Sequence, residues 1–169
     1  ELVRWVHVVA AVLWVGMAFG GRPNPALRWV ALVAWLSGLL LIGLVYHLGG
    51  LMVGADATSQ EKMLAFAGSQ ALIFFGFFVY DFVWKRVSSA PLATALSLAL
   101  FTGAAFGLSR VMAGRALWLH LGAILASVMT LNVWMRIWPE KPSAPQRKVH
   151  NLTLAFPVLF FMVAPHTFA

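Results

Sequence analysis

The stretch RALWLHLGAILASVMTLNVWMRIWP, running from Arg115 to Pro139, decides the fold. Between Arg115 and Arg136 it carries no formally charged side chain. At ~1.5 Å per residue, about 20 such residues cross a hydrocarbon layer of roughly 30 Å. Within that layer every backbone polar group must be satisfied inside its own segment, so the run has to be helical.

Five further runs share this character. The predicted spans are Leu2–Gly20, Arg28–Leu48, Leu64–Trp84, Pro91–Ala113, Arg115–Trp138 and Leu152–Ala169. Polar breaks separate them: Gly21–Pro25, Gly49–Met63 with Asp56 and Glu61, Lys85-Arg86, and Glu140–His150. Pro157 and Pro165 are expected to interrupt the last run. The fold class expected is therefore all-α, a polytopic transmembrane bundle of about six spans forming one domain over residues 1–169.

Composition agrees. The 169 residues are 62% apolar and 10% charged, with a mean hydropathy of +0.86. A water-soluble domain carries about 25% charge, so this chain lacks a polar coat. It contains no Cys, which excludes disulfides, thiolate metal sites, iron–sulfur clusters and a CxxCH haem attachment within these residues. The first run holds His7, Trp5 and Trp14 and has no A-x-A cleavage site, so it reads as a span and not a signal peptide.

The net charge of +7 would suggest nucleic acid in a soluble protein. Here the basic residues sit in short loops, where they set topology and meet lipid headgroups, and no nucleic-acid partner is expected. Arg22, Arg28, Lys85, Arg86, Arg136, Lys141, Arg147 and Lys148 share one side; Arg4, Lys62, Arg110 and Arg115 share the other. Eight against four of the 12 Lys and Arg residues place the first side in the cytoplasm. Both termini are then expected in the periplasm of a bacterial inner membrane. Trp5, Trp29, Trp84, Trp118 and Trp138 fall near span ends, as an aromatic belt does. Gly103 and Gly107 form a G-x-x-x-G expected to let helices pack closely inside the bundle.

The five histidines are the most informative residues. His7, His47, His120 and His166 are expected at one membrane level, near the outer ends of spans 1, 2, 5 and 6, and His150 alone lies in a loop on the other side. Ligating residues are costly inside a membrane and usually have a task. Imidazole suits haem iron, copper and zinc. Two histidines from different helices would hold a b-type haem, with His7 and His120 the candidate iron ligands. Arg110 and Arg115, near the same ends, are candidates to pair with propionates. The plainer reading is that a His at a span end meets water or headgroups; His47 and His166 suit it well, whereas His7 and His120 lie deeper. Asp81 precedes Lys85 by one helical turn and reads as an ion pair. Gln70 and Asn132 read as interhelical hydrogen-bond partners.

Three stretches carry a family resemblance. Trp5-Val6-His7-Val8-Val9-Ala10-Ala11-Val12-Leu13-Trp14-Val15-Gly16 is similar to the first helix of the membrane domain of bacterial cytochrome-c-linked urate oxidases (urate hydroxylases). His120-Leu121-Gly122-Ala123, Met129-Thr130-Leu131-Asn132-Val133-Trp134 and Ile137-Trp138-Pro139 resemble a later helix and its exit. His150-Asn151, Pro157–Met162 and His166 resemble the next segment. The first pattern alone also resembles copper-resistance D-type and protoporphyrinogen-oxidase-like membrane proteins.

The urate oxidase resemblance implies a membrane domain that works with a periplasmic c-type cytochrome, which family members carry at the C-terminus after further helices. These 169 residues hold no such region, and the links at Gly20–Pro25 and Pro139–Lys141 are shorter than the family's. The expected function is a membrane redox subunit binding haem b near the periplasmic face and exchanging electrons with cytochrome c. The alternatives are an accessory subunit of a larger membrane complex and a copper- or metal-handling membrane protein.

Overall fold

A computed structural model describes residues 1–20 and 25–167. Its elements are α1 (Leu2–Phe19), α2 (Ala26–Ile42), α3 (Ser59–Arg86), α4 (Ala90–Ser109), α5 (Gly114–Asn132) and α6 (Ala144–Thr167). Two π-helical turns, Gly43–Leu48 and Val133–Ile137, extend α2 and α5. The described residues contain no strand. Five helices are long and apolar enough to cross a membrane: α1, α2 with its π turn, α3, α4, and α5 with its π turn. The all-helical bundle of about six spans is thus the observed architecture.

Helix α5 is the axis of the bundle. Every residue from His120 to Thr130 is buried, and α2, α3, α4 and α6 all pack against it. The outer helices bury little and turn large apolar side chains outward, among them Phe75, Phe82, Leu98 and Phe106. Such a surface would drive a soluble protein to aggregate; facing lipid it has no such cost. Interhelical hydrogen bonds fix the packing: Trp35 Nε1 donates to Ser127 Oγ at 2.8 Å, and Trp84 Nε1 to Ser97 Oγ at 3.1 Å.

Local chemistry explains the helix ends. Thr58 and Glu61 form a reciprocal capping box, so α3 starts at Ser59, a turn before its apolar run. Lys85 and Arg86 close the same helix, where cations favour the negative end of the dipole. After the first π turn, Gly50 takes φ +71°, a left-handed conformation suited to glycine.

Three expectations change. Helix α6 starts at Ala144, not 152, so Arg147 and His150 are helical and lie on the bundle rather than in a loop. It also continues through Pro157 instead of stopping there; neighbouring helices let membrane helices tolerate such residues. Finally, Gly103 and Gly107 do not mediate packing within the bundle: both are exposed, and a Cβ at either would meet nothing within 4 Å. The close approaches fall elsewhere. A Cβ on Gly38 would stand 2.8 Å from His7 Cε1, and one on Gly122 would stand 2.9 Å from Met162 Cε. These glycines let α1 meet α2 and α6 meet α5.

Candidate functional site

The antiparallel helices bring two polar clusters to opposite ends of the bundle. At one end the first π turn presents Tyr46 and His47, α5 presents His120, and α3 presents Phe66 and Gln70. The His47 and His120 rings lie 5.6 Å apart at 69°, with Tyr46 at 5.8 Å from His120 and Phe66 at 5.0 Å from His47. A single π turn widens the helix locally, and such turns are frequent at functional sites. Here it sets His47 against α5.

His120 is fully buried. Its Nδ1–H donates to the Ala116 carbonyl at 2.7 Å, which fixes the tautomer. Nε2 then carries a lone pair, and it has no hydrogen-bond partner in the protein. This is the arrangement of a metal-ligating histidine, in which a carbonyl holds the far nitrogen. His47 Nδ1 is likewise buried without a partner. Its Nε2 lies 3.0 Å from the Gln70 amide. The Gln70 amide nitrogen faces Nε2, which places the ring proton on Nδ1; a turned-over amide would move it to Nε2. Each imidazole thus keeps one buried nitrogen without a hydrogen-bond partner.

The other sequence candidates are placed differently. His7 Nδ1 lies 2.9 Å from the Ala34 carbonyl and 3.3 Å from Ser37 Oγ, and its ring rests on Gly38. Gly38 precedes His47 on the same helix by about 14 Å at ~1.5 Å per residue. Of the four histidine candidates, His47 and His120 are in ring contact, while His7 sits on Gly38. Arg115 opens α5 at the His120 end, with its charge felt at Tyr46. Arg110 is exposed in the α4–α5 turn with its guanidinium 5.6 Å from the Phe106 ring. His166 belongs to the last turns of α6; its side chain lies outside the described residues. No three His, Asp or Glu side chains among the described residues converge to hold a metal ion by themselves.

The opposite end holds a cluster that the sequence did not reveal. Asp81, 4% exposed, accepts from three cations. Arg136 donates through Nε at 2.9 Å and through Nη2, Lys85 stands at 2.8 Å, and Arg147 Nη2 donates at 3.0 Å. The expected Asp81–Lys85 pair is present, but it is one contact of several. Arg136 comes from the second π turn. Arg147 is 1% exposed and its guanidinium stacks on Tyr80 at 4.6 Å.

The Tyr80 hydroxyl and His150 Nδ1 share a hydrogen bond at 2.5 Å, and the His150 ring packs 4.1 Å from Trp84. Asn132 Nδ2 donates to Asn151 Oδ1 at 2.9 Å, and Asn151 Nδ2 to the Met129 carbonyl at 2.9 Å. Gln70 and Asn132 are the interhelical partners expected of them. The one available signal for the cluster was the pair of stretches Met129–Trp134 and His150-Asn151, whose Asn132 and Asn151 meet here.

Neither a curated protein nor a solved structure matches the chain. The family model described as urate oxidase N-terminal matches residues 26–169. The match takes in α2 through α6 and both clusters, and leaves out α1 with His7. The chain belongs to the urate oxidase N-terminal family.

Proposed function

We propose that this chain is a membrane redox domain of a urate-oxidising system, with His47 and His120 holding a b-type haem. The observation that carries this reading is His120: fully buried, tautomer set by Ala116, Nε2 without a partner, and in ring contact with His47. Haem iron bound there supplies a one-electron carrier. The chain's own part is to orient the two imidazoles through Ala116 and Gln70 and to exclude water with Phe66, Tyr46 and the buried face of α5. Arg110 and Arg115 lie at the same end and suit the propionates. In the orientation set by the basic loops, this end faces the periplasm of a bacterial inner membrane, and both termini do too. A periplasmic cytochrome c would be the electron acceptor on this side.

A second reading, a non-catalytic accessory subunit of a larger membrane complex, is favoured by one feature. The two rings touch directly, so a macrocycle between them requires the side chains to part.

The absorbance spectrum of the purified chain, followed by the pyridine haemochrome assay, separates the two. A Soret band and a haem b haemochrome are expected. Their absence from protein expressed with ample haem would overturn the haem reading in favour of the accessory subunit.

A further inference from the structure

The end of the bundle remote from His47 and His120 has donors and acceptors that the fold itself does not use. Three cations, Lys85, Arg136 and Arg147, surround one carboxylate, Asp81. The cluster keeps an excess of positive charge in a setting where unpaired charge is costly. Arg147 is 1% exposed, yet only its Nη2 reaches Asp81; Nε and Nη1 are buried without partners. On the same Tyr80 side chain that carries Arg147, Asn132 is seated through Nδ2. Its Oδ1, an acceptor, is also buried without a partner.

Buried polar groups are almost always satisfied. Two unused cationic donors call for negatively charged acceptor oxygens. An unused amide oxygen calls for a donor hydrogen. Tyr80, Trp84 and His150 wall the cluster, and Lys85, whose side chain is 55% exposed, stands at its rim.

We propose that the Arg147–Asn132 cluster is a binding site for a small soluble anion that carries both acceptor oxygens and a donor hydrogen. The site owes nothing to the haem reading. Its residues lie on α3, α5, the second π turn and α6, and it survives if no haem is bound at the other end.

Inorganic phosphate and sulfate test it, because they share a shape and only phosphate carries a donor hydrogen near neutral pH. The full chain in phosphatidylcholine nanodiscs is dialysed to equilibrium against radiolabelled phosphate. One saturable site is expected, with sulfate competing about tenfold less well or worse, as the loss of one buried hydrogen bond to a charged partner implies. Arg147→Lys should weaken phosphate about tenfold or more, and Asn132→Leu should erase most of the preference over sulfate. If the variants fail to fold, the phosphate–sulfate comparison on the unmodified chain still decides. Absence of saturable phosphate binding, equal competition by sulfate, or unchanged affinity in a folded Arg147→Lys variant would each overturn the proposal. Loss of phosphate binding when phosphatidylglycerol replaces part of the lipid would assign the cluster to a headgroup and overturn it as well.

Discussion

The two ends of the bundle solve opposite problems. At the His47–His120 end, side chains without formal charge are held so that ring nitrogens remain unused. At the Asp81–Arg147 end, formal charges are gathered so that a single carboxylate is heavily engaged. Both ends use a π-helical turn to aim a key side chain inward, His47 in one and Arg136 in the other. The first end joins its helices through ring contacts and the Gln70–His47 hydrogen bond, with no ion pair among these residues. The second pins α3, α5 and α6 to one another through Asp81. Removing a side chain should therefore cost stability at the second end and cofactor at the first.

The largest expected effect tests that division at the charged end. Asp81→Asn leaves Arg136 and the buried Arg147 without their counter-charge. Breaking such a buried pair costs about 3–5 kcal/mol, so thermal unfolding in detergent should occur at a clearly lower temperature. A melting temperature equal to that of the unmodified chain would show that Asp81 does not join the helices.

A smaller change is expected at the other end. In the haem-free chain His120→Leu removes a group whose one hydrogen bond goes to its own helix. Leucine removes that one side-chain hydrogen bond and refills the buried space, so the loss should stay within about 1.5 kcal/mol, the net worth of one such bond. A loss as large as that of Asp81→Asn would mean that both ends are structural. The smallest effect belongs to Gly103→Ala and Gly107→Ala, which should move stability by less than about 0.5 kcal/mol, since a Cβ at either meets nothing.

These regions also differ in how far they could be read in the sequence. The apolar runs specified the helices, because only a helix satisfies a backbone in lipid. The His47–His120 end was half legible: both residues stood out as ligating groups near span ends. Their pairing was not legible, because it depends on helix order and on a π turn that periodicity does not display. Sequence reading named His7 and His120 as candidate ligands and left the pairing open, and the bundle seats His7 on Gly38.

The charged end was hidden for a different reason. Arg147, Lys148 and His150 looked like a polar loop ahead of an apolar run, yet the helix begins at Ala144 and buries Arg147 against the Asp81 carboxylate of α3, with two helices between them in sequence. A buried charge with a distant partner looks the same in sequence as a solvated one. The G-x-x-x-G at Gly103 misled in the reverse sense, since a small-residue spacing does not say which face of a helix it serves.

The most direct test compares reduced-minus-oxidised difference spectra of the purified chain with those of His47→Ala, His120→Ala and His7→Ala, each normalised to folded protein. If His47 and His120 hold the haem, a b-type spectrum is present in the unmodified chain and in His7→Ala, and is lost or strongly shifted in the other two. A b-type spectrum that persists in both His47→Ala and His120→Ala, or that vanishes only in His7→Ala, would contradict the assignment.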